Sequence, residues 1–538
     1  MPALLHPGVY VQEVPSKVRS IEGAQTSTTI FVGETERGPI GPTKIKSRTE
    51  YERYFGGYVR RISTSGSPSA DDTSRVLMKH HIDGFFQNGG TTAYILRALD
   101  GWSSAAKSKR QGTDAGGDTS DIIEASSPGV WGNDLSVGLL ASSDGDADRF
   151  RIVVVYASPE DGESSIVEDW DRLSADPDDE TYAPDVLKRS AFIRWIEGAD
   201  VFRPDADTFS TADPEDSVII SEAPAMTGGL GGGGALTSAN YASLLDERLA
   251  GIDDAALLVA GCDALLTAAA DADYCEFTQV FIDYVNVRPR LDLFFVGDMP
   301  AQHGAGTATE AASSTLTALA ANITTNNFAA LYWPWVVVSD PIGVGKNPTL
   351  KLPPAGYVAG LYGRTDSRRG VWKAPAGTEA TLGGTLSLEH VLHDGHSDDL
   401  NPKGINALRV IPGAGRVVWG ARTLVPSSEW RYVPVRRTAI YLRTSIYNGI
   451  QWAVFEPNDE PLWASLRTTI GAFMEIQFRN GAFAGSTSKE AYFVKVDSET
   501  TTEDDQAAGI VNILVGFCPL RPAEFVVVKL SQKTQGEG

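Results

Sequence analysis

Strand-like and helix-like segments alternate along two separate stretches of this chain, residues 28–111 and residues 236–400. In the first stretch, the apolar and β-branched run Thr28–Gly33 predicts a strand, the spacing of apolar residues over Ser74–Gln87 predicts a helix, and Thr92–Leu99 predicts another strand. In the second stretch, helices and strands are predicted in turn at Tyr241–Gly251, Ala255–Ala260, Ala272–Asn286, Leu291–Val296, Thr307–Asn322 and Leu331–Val338. Because strands that alternate with helices form a sheet covered on both faces, the two stretches are predicted to form one doubly wound α/β domain.

A segment of different composition, residues 112–235, interrupts this domain. It holds 27 Asp and Glu residues against 7 Lys and Arg residues, and so contributes most of the net charge of −23. Its turn-rich composition predicts an inserted, acidic, β-rich outer domain. A solvated acidic face of this size keeps particles apart and soluble, and the alternative is a specific site for cations or for a basic partner. No basic patch with interleaved aromatic residues occurs, so nucleic-acid binding is disfavoured.

The composition is that of a folded protein with more than one core. Hydrophobic residues make up 42% and charged residues 21% of the 538 positions, and this length predicts about two to four domains. The longest apolar run, Phe328–Val338, is too short to span a bilayer, and the start of the chain lacks the pattern of a signal peptide. Cys262, Cys275 and Cys518 are too few and too far apart to predict a disulfide framework or a zinc finger. We therefore expect folding in a reducing cytoplasm and no direct insertion into a membrane.

The C-terminal part, residues 401–522, is nearly neutral and has the pattern of a packed α+β domain. Gly, Pro and Asn residues separate four strand-like runs, Ala407–Ile411, Arg416–Trp419, Ala439–Ile446 and Gln451–Phe455. An amphipathic helix is predicted to follow, because apolar residues recur at helical spacing from Leu462 to Phe473. Asn458 is the predicted N-cap of that helix, with acidic residues next to it at the positive end of the helix dipole.

Each end of the chain carries a segment typical of a single extended strand. The first lies in residues 1–27, at His6–Ser16, and the second lies in residues 523–538, at Ala523–Leu530. A lone terminal strand needs backbone partners, which the exposed edge of a sheet supplies. On physical grounds alone, pairing within the same subunit and pairing with a neighbouring copy both stay open. The polar linkers Lys17–Ser27 and Glu499–Ala508 are predicted to act as flexible tethers.

Short motifs and one longer block occur in a definite order along the chain. They are HPGVYVQEVPS (His6–Ser16), TTIFVGETERGP (Thr28–Pro39), FFQNGGTTAYILRAL (Phe85–Leu99), SPGVWGNDLSVGL (Ser127–Leu139), YVNVRPRLDLFFVGDMP (Tyr284–Pro300), WPWVVVSDP (Trp333–Pro341) and the block Asn401–Trp463. Together they resemble the contractile tail sheath proteins of contractile phage tails, R-type tailocins and extracellular contractile injection systems. The resemblance runs from residue 6 to about residue 530 and is weakest between residues 140 and 225.

The resemblance implies a structural protein that needs no cofactor, not an enzyme. Sheath subunits of this family assemble as stacked hexameric rings around an inner tube, and they contract to drive the tube through a target envelope. The implied partners are further copies of the chain, the inner tube protein, the baseplate, and tail terminator or cap proteins. Assembly is expected in the bacterial cytoplasm, as part of a phage tail or of a released or cytoplasmic injection particle.

The resemblance also implies two sets of contact residues. Neighbouring subunits of the family exchange terminal arms, so intersubunit strand pairing is expected at Val9, Tyr10, Val11, Gln12, Val14, Phe525, Val526, Val527, Val528 and Leu530. Tube contact in the family comes from the C-terminal domain, and the segment Asn458–Arg479 offers Arg467, Glu475 and Arg479 as tube-facing candidates. The alternative is a surface helix with ordinary solvated charges, since exposed ion pairs are individually weak.

A nucleotide-binding enzyme with an α/β core is the alternative function. Gly229, Gly231 and Gly234 match the GxGxxG pattern, and Asp263 follows the next predicted strand, where a ribose-binding acid could sit. A run of glycines meets that pattern trivially, however, and no strong strand leads directly into it. A flexible domain junction is therefore the favoured interpretation.

A group of histidines offers a candidate metal site. His390, His393 and His396 recur with a spacing of three and have acidic neighbours, a set of side chains that could ligate a metal ion. Gly395 and the Asp pair that follows favour a polar loop instead.

Overall fold

The computed structural model describes residues 20–60, 75–158, 163–210, 214–231, 236–261, 271–300, 323–343, 346–425, 427–525 and 527. The predicted strand in His6–Ser16 and the predicted helix Thr307–Asn322 lie outside the described residues. The chain forms two compact units, one of residues 25–436 and one that joins residues 20–24 to the residues from 437 onwards.

The described strands and helices are numbered in chain order. The strands are β1 Thr29–Gly33, β2 Thr43–Ile45, β3 Val59–Arg60, β4 Arg75–Val76, β5 Ala93–Arg97, β6 Lys109–Thr113, β7 Thr119–Ala125, β8 Leu135–Ala141, β9 Arg149–Ala157, β10 Ser164–Ser174, β11 Ile193–Trp195, β12 Leu257–Ala260, β13 Phe294–Asp298, β14 Ala329–Trp333, β15 Val336–Ser339, β16 Thr349–Leu352, β17 Ser387–Leu388, β18 Ile405–Ile411, β19 Gly415–Val418, β20 Tyr492–Lys495 and β21 Leu514–Phe517. The helices are α1 Arg48–Phe55, α2 Met78–Gln87, α3 Ala183–Leu187, α4 Asp216–Glu222, α5 Ser238–Arg248, α6 Asp271–Val287, α7 Ala355–Arg369, α8 Asp394–Leu400, α9 Val433–Gly449, α10 Glu460–Arg479, α11 Ser488–Ala491 and α12 Glu503–Ala507.

An eight-stranded sheet forms the centre of the larger unit. Its strand order is β19-β18-β14-β13-β12-β1-β5-β2. The six inner strands pair in parallel, whereas β2 and β19 at the two edges pair antiparallel with their neighbours. Every residue of β1 and of β13 is buried, which explains why these strands read as continuous apolar runs. The predicted α/β class is confirmed.

Helices pack on this sheet through aromatic side chains and glycines. Phe281 of α6 stacks on Phe295 of β13 with ring centroids 5.3 Å apart, and Phe277 meets Tyr241 of α5 edge to face at 5.0 Å. Between α2 and α7, Gly360 permits a close approach, because a Cβ at that position would lie 2.3 Å from the carbonyl oxygen of Phe85. The helices predicted within Ser74–Gln87, Tyr241–Gly251 and Ala272–Asn286 are therefore present as α2, α5 and α6.

The acidic segment folds as a β-rich body within the larger unit. Two antiparallel three-stranded sheets, β10-β9-β8 and β11-β7-β6, share an apolar core that includes Ile122, Leu135 and Phe150. Carboxylates at its surface form ion pairs such as Arg151 with Asp169, whose charged atoms lie 2.6 Å apart. The apolar core accounts for the fold of this segment in spite of its high charge.

The smaller unit combines helices with a two-stranded sheet. Leu462, Trp463 and Leu466 of α10 pack with Val496 to form its apolar core. The two-stranded sheet consists of β20 and β21. Among the described residues, no helix of either unit has the length and apolar character that crossing a membrane requires.

Two of the four strands predicted between residues 401 and 463 are wrong. Ala439–Ile446 lies inside α9, and Gln451–Phe455 starts as a short 3-10 helix and ends in an exposed turn. The β-branched residues of these runs favour strands, but that preference is weak, and burial of Ile440 and Leu442 along a packed helix overrides it. The runs Ala407–Ile411 and Arg416–Trp419 are confirmed as β18 and β19.

Strand pairing places two domain boundaries at positions other than the predicted ones. A boundary at residue 401 would place β18 in the C-terminal domain, yet β18 pairs in parallel with β14, with Ile405 opposite Leu331. The smaller unit accordingly resumes at Arg437. At the insertion, Ala106 bridges Leu230 and Lys109 bridges Thr227, so the pairing that closes the acidic body begins before residue 112.

Two local predictions also need correction. Leu331–Val338 is not one strand, because β14 ends at Trp333 and β15, which starts at Val336, joins the separate sheet β16-β15-β17. The N-cap of α10 is Asp459, whose Oδ1 accepts the backbone N–H of Leu462 at 3.2 Å. Asn458, the predicted cap, instead accepts the indole N–H of Trp463 at 2.9 Å.

Candidate functional site

The tube-facing candidates on α10 are engaged in bonds within their own unit. Arg467 donates from Nη2 to the Glu460 carboxylate at 2.9 Å and from Nη1 to the backbone carbonyl of Val496. Glu475 accepts from Nε of Arg479 at 3.0 Å. These charged side chains hold α10 within its own unit. Their role in tube contact stays a prediction, and it would require each side chain to bind the tube as well as its present partner.

Glu475 is held from a second side as well. Its Oε2 accepts from Ser488 Oγ at 2.7 Å and from the Tyr492 hydroxyl at 3.0 Å. The hydrogen bonds from Ser488, Arg479 and Tyr492 hold the pKa of the Glu475 carboxyl below its usual value. This carboxylate therefore stays ionised and ties α10 to α11 and to β20.

The exposed side of α10 is largely uncharged. Pro461, Thr468, Ala472 and Ile476 are exposed along it, and the Ile476 side chain is 53% accessible to solvent. Arg479, with a side chain that is 76% exposed, is the candidate that extends furthest into solvent. A partner that approached this side would meet small and apolar groups before it met the predicted charges.

The sheet of β20 and β21 has unfilled edges in the described part of the chain. The two strands pair antiparallel from Tyr492 opposite Phe517 to Lys495 opposite Leu514, and neither has a second neighbour among the described strands. Phe493 is 49% exposed and Leu514 is 52% exposed. Free backbone groups beside exposed apolar side chains are the conditions under which another strand adds to a sheet.

The C-terminal segment leaves this sheet after Pro519. The backbone N–H of Cys518 donates to the carbonyl of Ala491 at 2.8 Å. Further on, Phe525 and Val527 are 76% and 78% exposed, and neither belongs to a strand in the structure. The remaining predicted exchange residues, Val9, Tyr10, Val11, Gln12, Val14, Val526, Val528 and Leu530, lie outside the described residues.

The described part of the N-terminal linker is docked on α9. The backbone N–H of Ala24 donates to Ser445 Oγ at 2.9 Å. Ile21, which is 8% exposed, lies over Gly449, where a Cβ would come within 2.6 Å of the Ile21 side chain. The prediction of a flexible tether is therefore wrong for residues 20–24.

The second predicted tether, Glu499–Ala508, is also folded. It contains α12, and the Oγ1 of Thr502 caps this helix by accepting the backbone N–H of Asp505 at 3.2 Å. The Asp505 carboxylate in turn accepts the backbone N–H of Thr502 at 3.0 Å and the Thr502 hydroxyl at 2.8 Å. This reciprocal capping satisfies the first turn of a short helix that its polar composition did not predict.

A buried polar cluster joins the large sheet to the acidic body. Glu36 accepts from the Tyr156 hydroxyl at 2.7 Å and from Nη1 of Arg37 at 3.0 Å. Arg97 donates to the carbonyls of Gly38 at 2.9 Å and Pro128 at 2.7 Å, and burial lowers the pKa of its guanidinium to about 10. Sequence analysis missed this cluster. The adjacent charges Glu36 and Arg37, which closely follow the buried strand β1, are a signal that could have indicated it.

The histidine group has structural roles. His396 Nδ1 accepts the backbone N–H of His393 at 3.0 Å at the start of α8, and the ring of His390 stacks on Trp333 with centroids 5.2 Å apart. Throughout the residues that the structure describes, no three His, Cys, Asp or Glu side chains are grouped so that they could hold a metal ion.

The glycine tract forms the return from the acidic body. Gly229 donates its N–H to Asn133 Oδ1 at 2.9 Å, and the carbonyl of Gly231 accepts the N–H of Val130 at 2.9 Å. Gly234 and Asp263 lie outside the described residues. The described glycines are thus held in a domain junction by hydrogen bonds, instead of opening a helix directly after a strand.

Comparison with known sequences identifies two adjoining domains of one protein family. Residues 242–424 match the phage tail sheath protein central domain, and residues 425–533 match the phage tail sheath C-terminal domain. A prophage major tail sheath protein of Pseudomonas aeruginosa is 27% identical over 180 residues, which are 33% of this chain and 45% of that protein. The tail sheath protein of Vibrio phage KVP40 is 32% identical over 135 residues, which are 24% of this chain and 20% of that protein. The chain thus matches less than half the length of these two relatives.

Solved structures share the fold over nearly the whole chain. The sheath of an extracellular contractile injection system named PVC, in its contracted state, has a TM-score of 0.56 and 21% identity, and the match covers 99% of both chains. The contracted helical sheath of the anti-feeding prophage has a TM-score of 0.55 and 21% identity, and the match covers 99% of this chain and 100% of the other. A sheath tail protein of Listeria innocua matches with a TM-score of 0.54 and 11% identity over 93% of this chain and 96% of its own. Together with the two matched domains, which extend from residue 242 to residue 533, these findings show that the chain belongs to the contractile tail sheath protein family.

Proposed function

We propose that this chain is the structural sheath subunit of a contractile injection apparatus. In this function, copies of the chain assemble as a helical stack of hexameric rings around an inner tube and contract to drive the tube through a target envelope. The chain acts without catalysis and without a cofactor. The baseplate lies at one end of the assembly, and a tail terminator or cap protein lies at the other. Assembly takes place in the bacterial cytoplasm.

The observation that carries the proposal is the open two-stranded sheet of the smaller unit. Both β20 and β21 lack a second neighbour among the described strands, and the apolar residues Phe525 and Val527 beyond them are exposed. In the proposal, the terminal arms of neighbouring copies add strands to these edges. Each copy would then be linked to others through backbone hydrogen bonds that do not depend on the orientation of the larger unit.

The docked linker gives the exchanged arm a fixed point of departure. Because Ala24 and Ile21 are held on α9, an arm that pairs with a neighbouring copy would depart from this surface. A fixed point of departure favours pairing at one distance from the subunit, since the effective concentration of a tethered strand depends on the reach of its linker. This geometry supports regular rings more than random aggregation.

Contraction in this proposal uses free energy stored at assembly. The subunits reorient as rigid bodies about the arm connections, improve their mutual contacts, and need no nucleotide. Small gains per copy add over a long helix. The exposed side of α10, which includes Ile476 and Arg479, is the proposed tube-facing element, with Arg467 and Glu475 holding the helix in place.

Electron microscopy of the purified chain tests the proposal. We expect helical tubes or stacked rings from the full chain, and folded monomers without long tubes from a variant that lacks residues 1–19. A matched variant that lacks residues 528–538 removes most of the other arm and should shorten the tubes in the same way. Unchanged tube growth by both variants would refute arm exchange.

The same preparation distinguishes the alternative function. A nucleotide-binding enzyme would form small discrete oligomers, and its melting temperature would rise on addition of a nucleotide. We expect no such rise with ATP or NAD, and we expect the polymer to form in their absence.

A further inference from the structure

The turn between α9 and α10 presents two apolar side chains to solvent. Val454 is 58% exposed, and Phe455 has a relative exposure of 103%, the highest value of the large hydrophobic residues in the described part of the chain. The backbone of Phe455 also has a φ of +69°, a left-handed conformation that is unfavourable for a residue with a bulky side chain. We call Val454 and Phe455 the knob.

The knob stands on a well-packed base. Ile450, Trp452 and Ala453, which precede it, pack against the apolar core of the smaller unit. The backbone N–H of Glu456 donates to the carbonyl of Ala453 at 3.2 Å and closes the turn around the knob. The base therefore fixes the position of Phe455, and a rigid aromatic side chain loses little conformational entropy when a partner covers it.

Carboxylates follow the knob closely in the sequence. Glu456, Asp459 and Glu460 are all exposed and lie within five positions of Phe455, and Glu460 also pairs with Arg467 at 2.9 Å. The acidic helix α12 is joined to the same end of the unit, because Asn458 donates to the carbonyl of Ile510 at 3.0 Å and the N–H of Ile510 donates to the carbonyl of Asp505 at 2.8 Å. A surface that fits the knob would combine an apolar depression with basic side chains at its border.

We propose that the knob docks into a second copy of this chain, at an apolar surface bordered by arginine or lysine side chains. The contact is separate from strand exchange by the terminal arms. It rests on the proposed function, in which copies of the chain form a helical sheath.

The charge beside the knob favours a second copy in a head-to-tail arrangement. Two knobs that met each other would bring their own carboxylates together, so the receiving surface is a different part of the partner. Contacts between two different surfaces of identical chains repeat without closing on a pair, and they generate rings or helical filaments. One aromatic contact per copy thus contributes directly to a helical polymer.

The larger unit has a surface of the matching charge at the end of α7. Arg368 and Arg369 are exposed in the last turn of this helix, and Trp372 and Lys373, both half-buried, follow at once. Because Arg369 pairs with Glu379 at 3.0 Å, Arg368 and Lys373 supply the positive charge offered to a partner. Arg364, one turn earlier, has a guanidinium pKa that is lowered by burial and by the charge of Arg368, which indicates that positive charge is concentrated here. These side chains complement the carboxylates around the knob.

Photocrosslinking from position 455 tests the contact. The full chain carries p-benzoyl-phenylalanine in place of Phe455, is allowed to polymerise alone or together with the inner tube protein, and is then irradiated. We expect a product with the mass of two chains under both conditions, whose cross-linked peptide comes from the second copy and includes basic residues. A product that contains the tube protein, a link confined to one chain, or no product in polymers that form normally would overturn the proposal.

Truncation of the side chain provides the functional measurement. We expect Phe455→Ala to raise the protein concentration needed for polymerisation about tenfold or more, as for an aromatic anchor at an interface. Val287→Ala, which shortens another exposed apolar side chain of 72% exposure, should leave that concentration unchanged. Equal polymerisation of Phe455→Ala and wild type would overturn the inference, whereas a wild-type chain that never polymerises would overturn the proposed function itself.

Circular dichroism separates this effect from misfolding. Because Phe455 is fully exposed and has an unfavourable backbone angle, Phe455→Gly should melt at the same temperature as wild type or above it. We expect this variant to combine unimpaired folding with weak polymerisation. A lower melting temperature together with normal polymerisation would show that the residue serves the fold and not a contact between copies.

Discussion

Arg288 and Asp292 form a buried ion pair at the end of α6, with Nε of the arginine 2.6 Å from Oδ1 of the aspartate. Their side chains are 5% and 1% exposed. Arg288 also donates to the carbonyls of Leu249 and Ile252, which follow α5. The pair therefore ties the end of α6 to the end of α5, shortly before the start of β13 in the sequence.

Removing one partner of this pair should destabilise the larger unit strongly. Asp292→Ala leaves the guanidinium of Arg288 buried without its counter-charge, which typically costs about 3–5 kcal/mol. We expect a lower melting temperature of this variant in differential scanning calorimetry. The ion pair Lys188 with Asp185 is the control, because its side chains are 72% and 64% exposed, and Asp185→Ala should have little effect.

The bond between Tyr156 and Glu36 should stabilise the attachment of the acidic body. Tyr156→Phe removes the hydroxyl donor and leaves Glu36 with Arg37 and the N–H of Gly57 as partners, so we expect a loss of about 1–2 kcal/mol. Hydrogen exchange should rise at the backbone of β8 and β9, and also around Gly57. Tyr54→Phe, at a tyrosine that is 39% exposed, serves as the control. Exchange rates equal to those of wild type in Tyr156→Phe would contradict this role.

His81 should make the stability of the larger unit sensitive to acid. Burial lowers the pKa of its imidazole from 6.5 to about 3, and neither ring nitrogen has a hydrogen-bond partner among the residues that the structure describes. The unfolded chain therefore binds the proton more tightly than the folded chain, so stability is present above pH 6.5 and is lost as the pH falls below that value. The loss is at most about 1.4 kcal/mol per pH unit.

A variant isolates this contribution. We expect His81→Leu to reduce the fall in melting temperature between pH 7.5 and pH 5.0, roughly in proportion to the proton uptake that it removes. Melting curves of both proteins in the same buffers measure the difference. If the two proteins lost stability equally over this range, another group would be responsible for the acid sensitivity.

Local sequence patterns predicted the sheet well because its strands are buried on both sides. Thr29–Gly33, Leu257–Ala260 and Phe294–Asp298 are short apolar runs between helices, and such runs are distinctive in sequence. The strand predicted at Ala439–Ile446, which lies in α9, was wrong for the opposite reason. Its β-branched residues fit a strand locally, and only packing against distant parts of the chain makes a helix of it.

The contacts that define the candidate site depend on long-range pairing and were beyond these patterns. Ala24 and Ser445 are 421 positions apart, and Tyr156 and Glu36 are 120 positions apart. Periodicity placed Arg467 and Glu475 on the predicted helix, but it did not show that Val496 and Ser488 would satisfy them. These partners lie in the loops and short elements after the helix. Because they bind the charged side chains of α10, the uncharged side of the helix is left exposed.

The docking of the N-terminal linker should depend on the absence of a side chain at residue 449. In Gly449→Ala, the added Cβ would lie 2.6 Å from Cγ1 of Ile21, so residues 20–24 must move away from α9. Alanine is otherwise more favourable than glycine in a helix by about 1 kcal/mol, so a weakened linker cannot be ascribed to loss of the helix. We expect trypsin to cleave faster after Lys17 and Arg19 and the variant to form shorter polymers. Gly471→Ala in α10 is the matched control, since a Cβ there meets no described residue within 4 Å. If Gly449→Ala were cleaved at the wild-type rate, the linker would not be held at this position, and the fixed departure point of the arm would have to lie elsewhere.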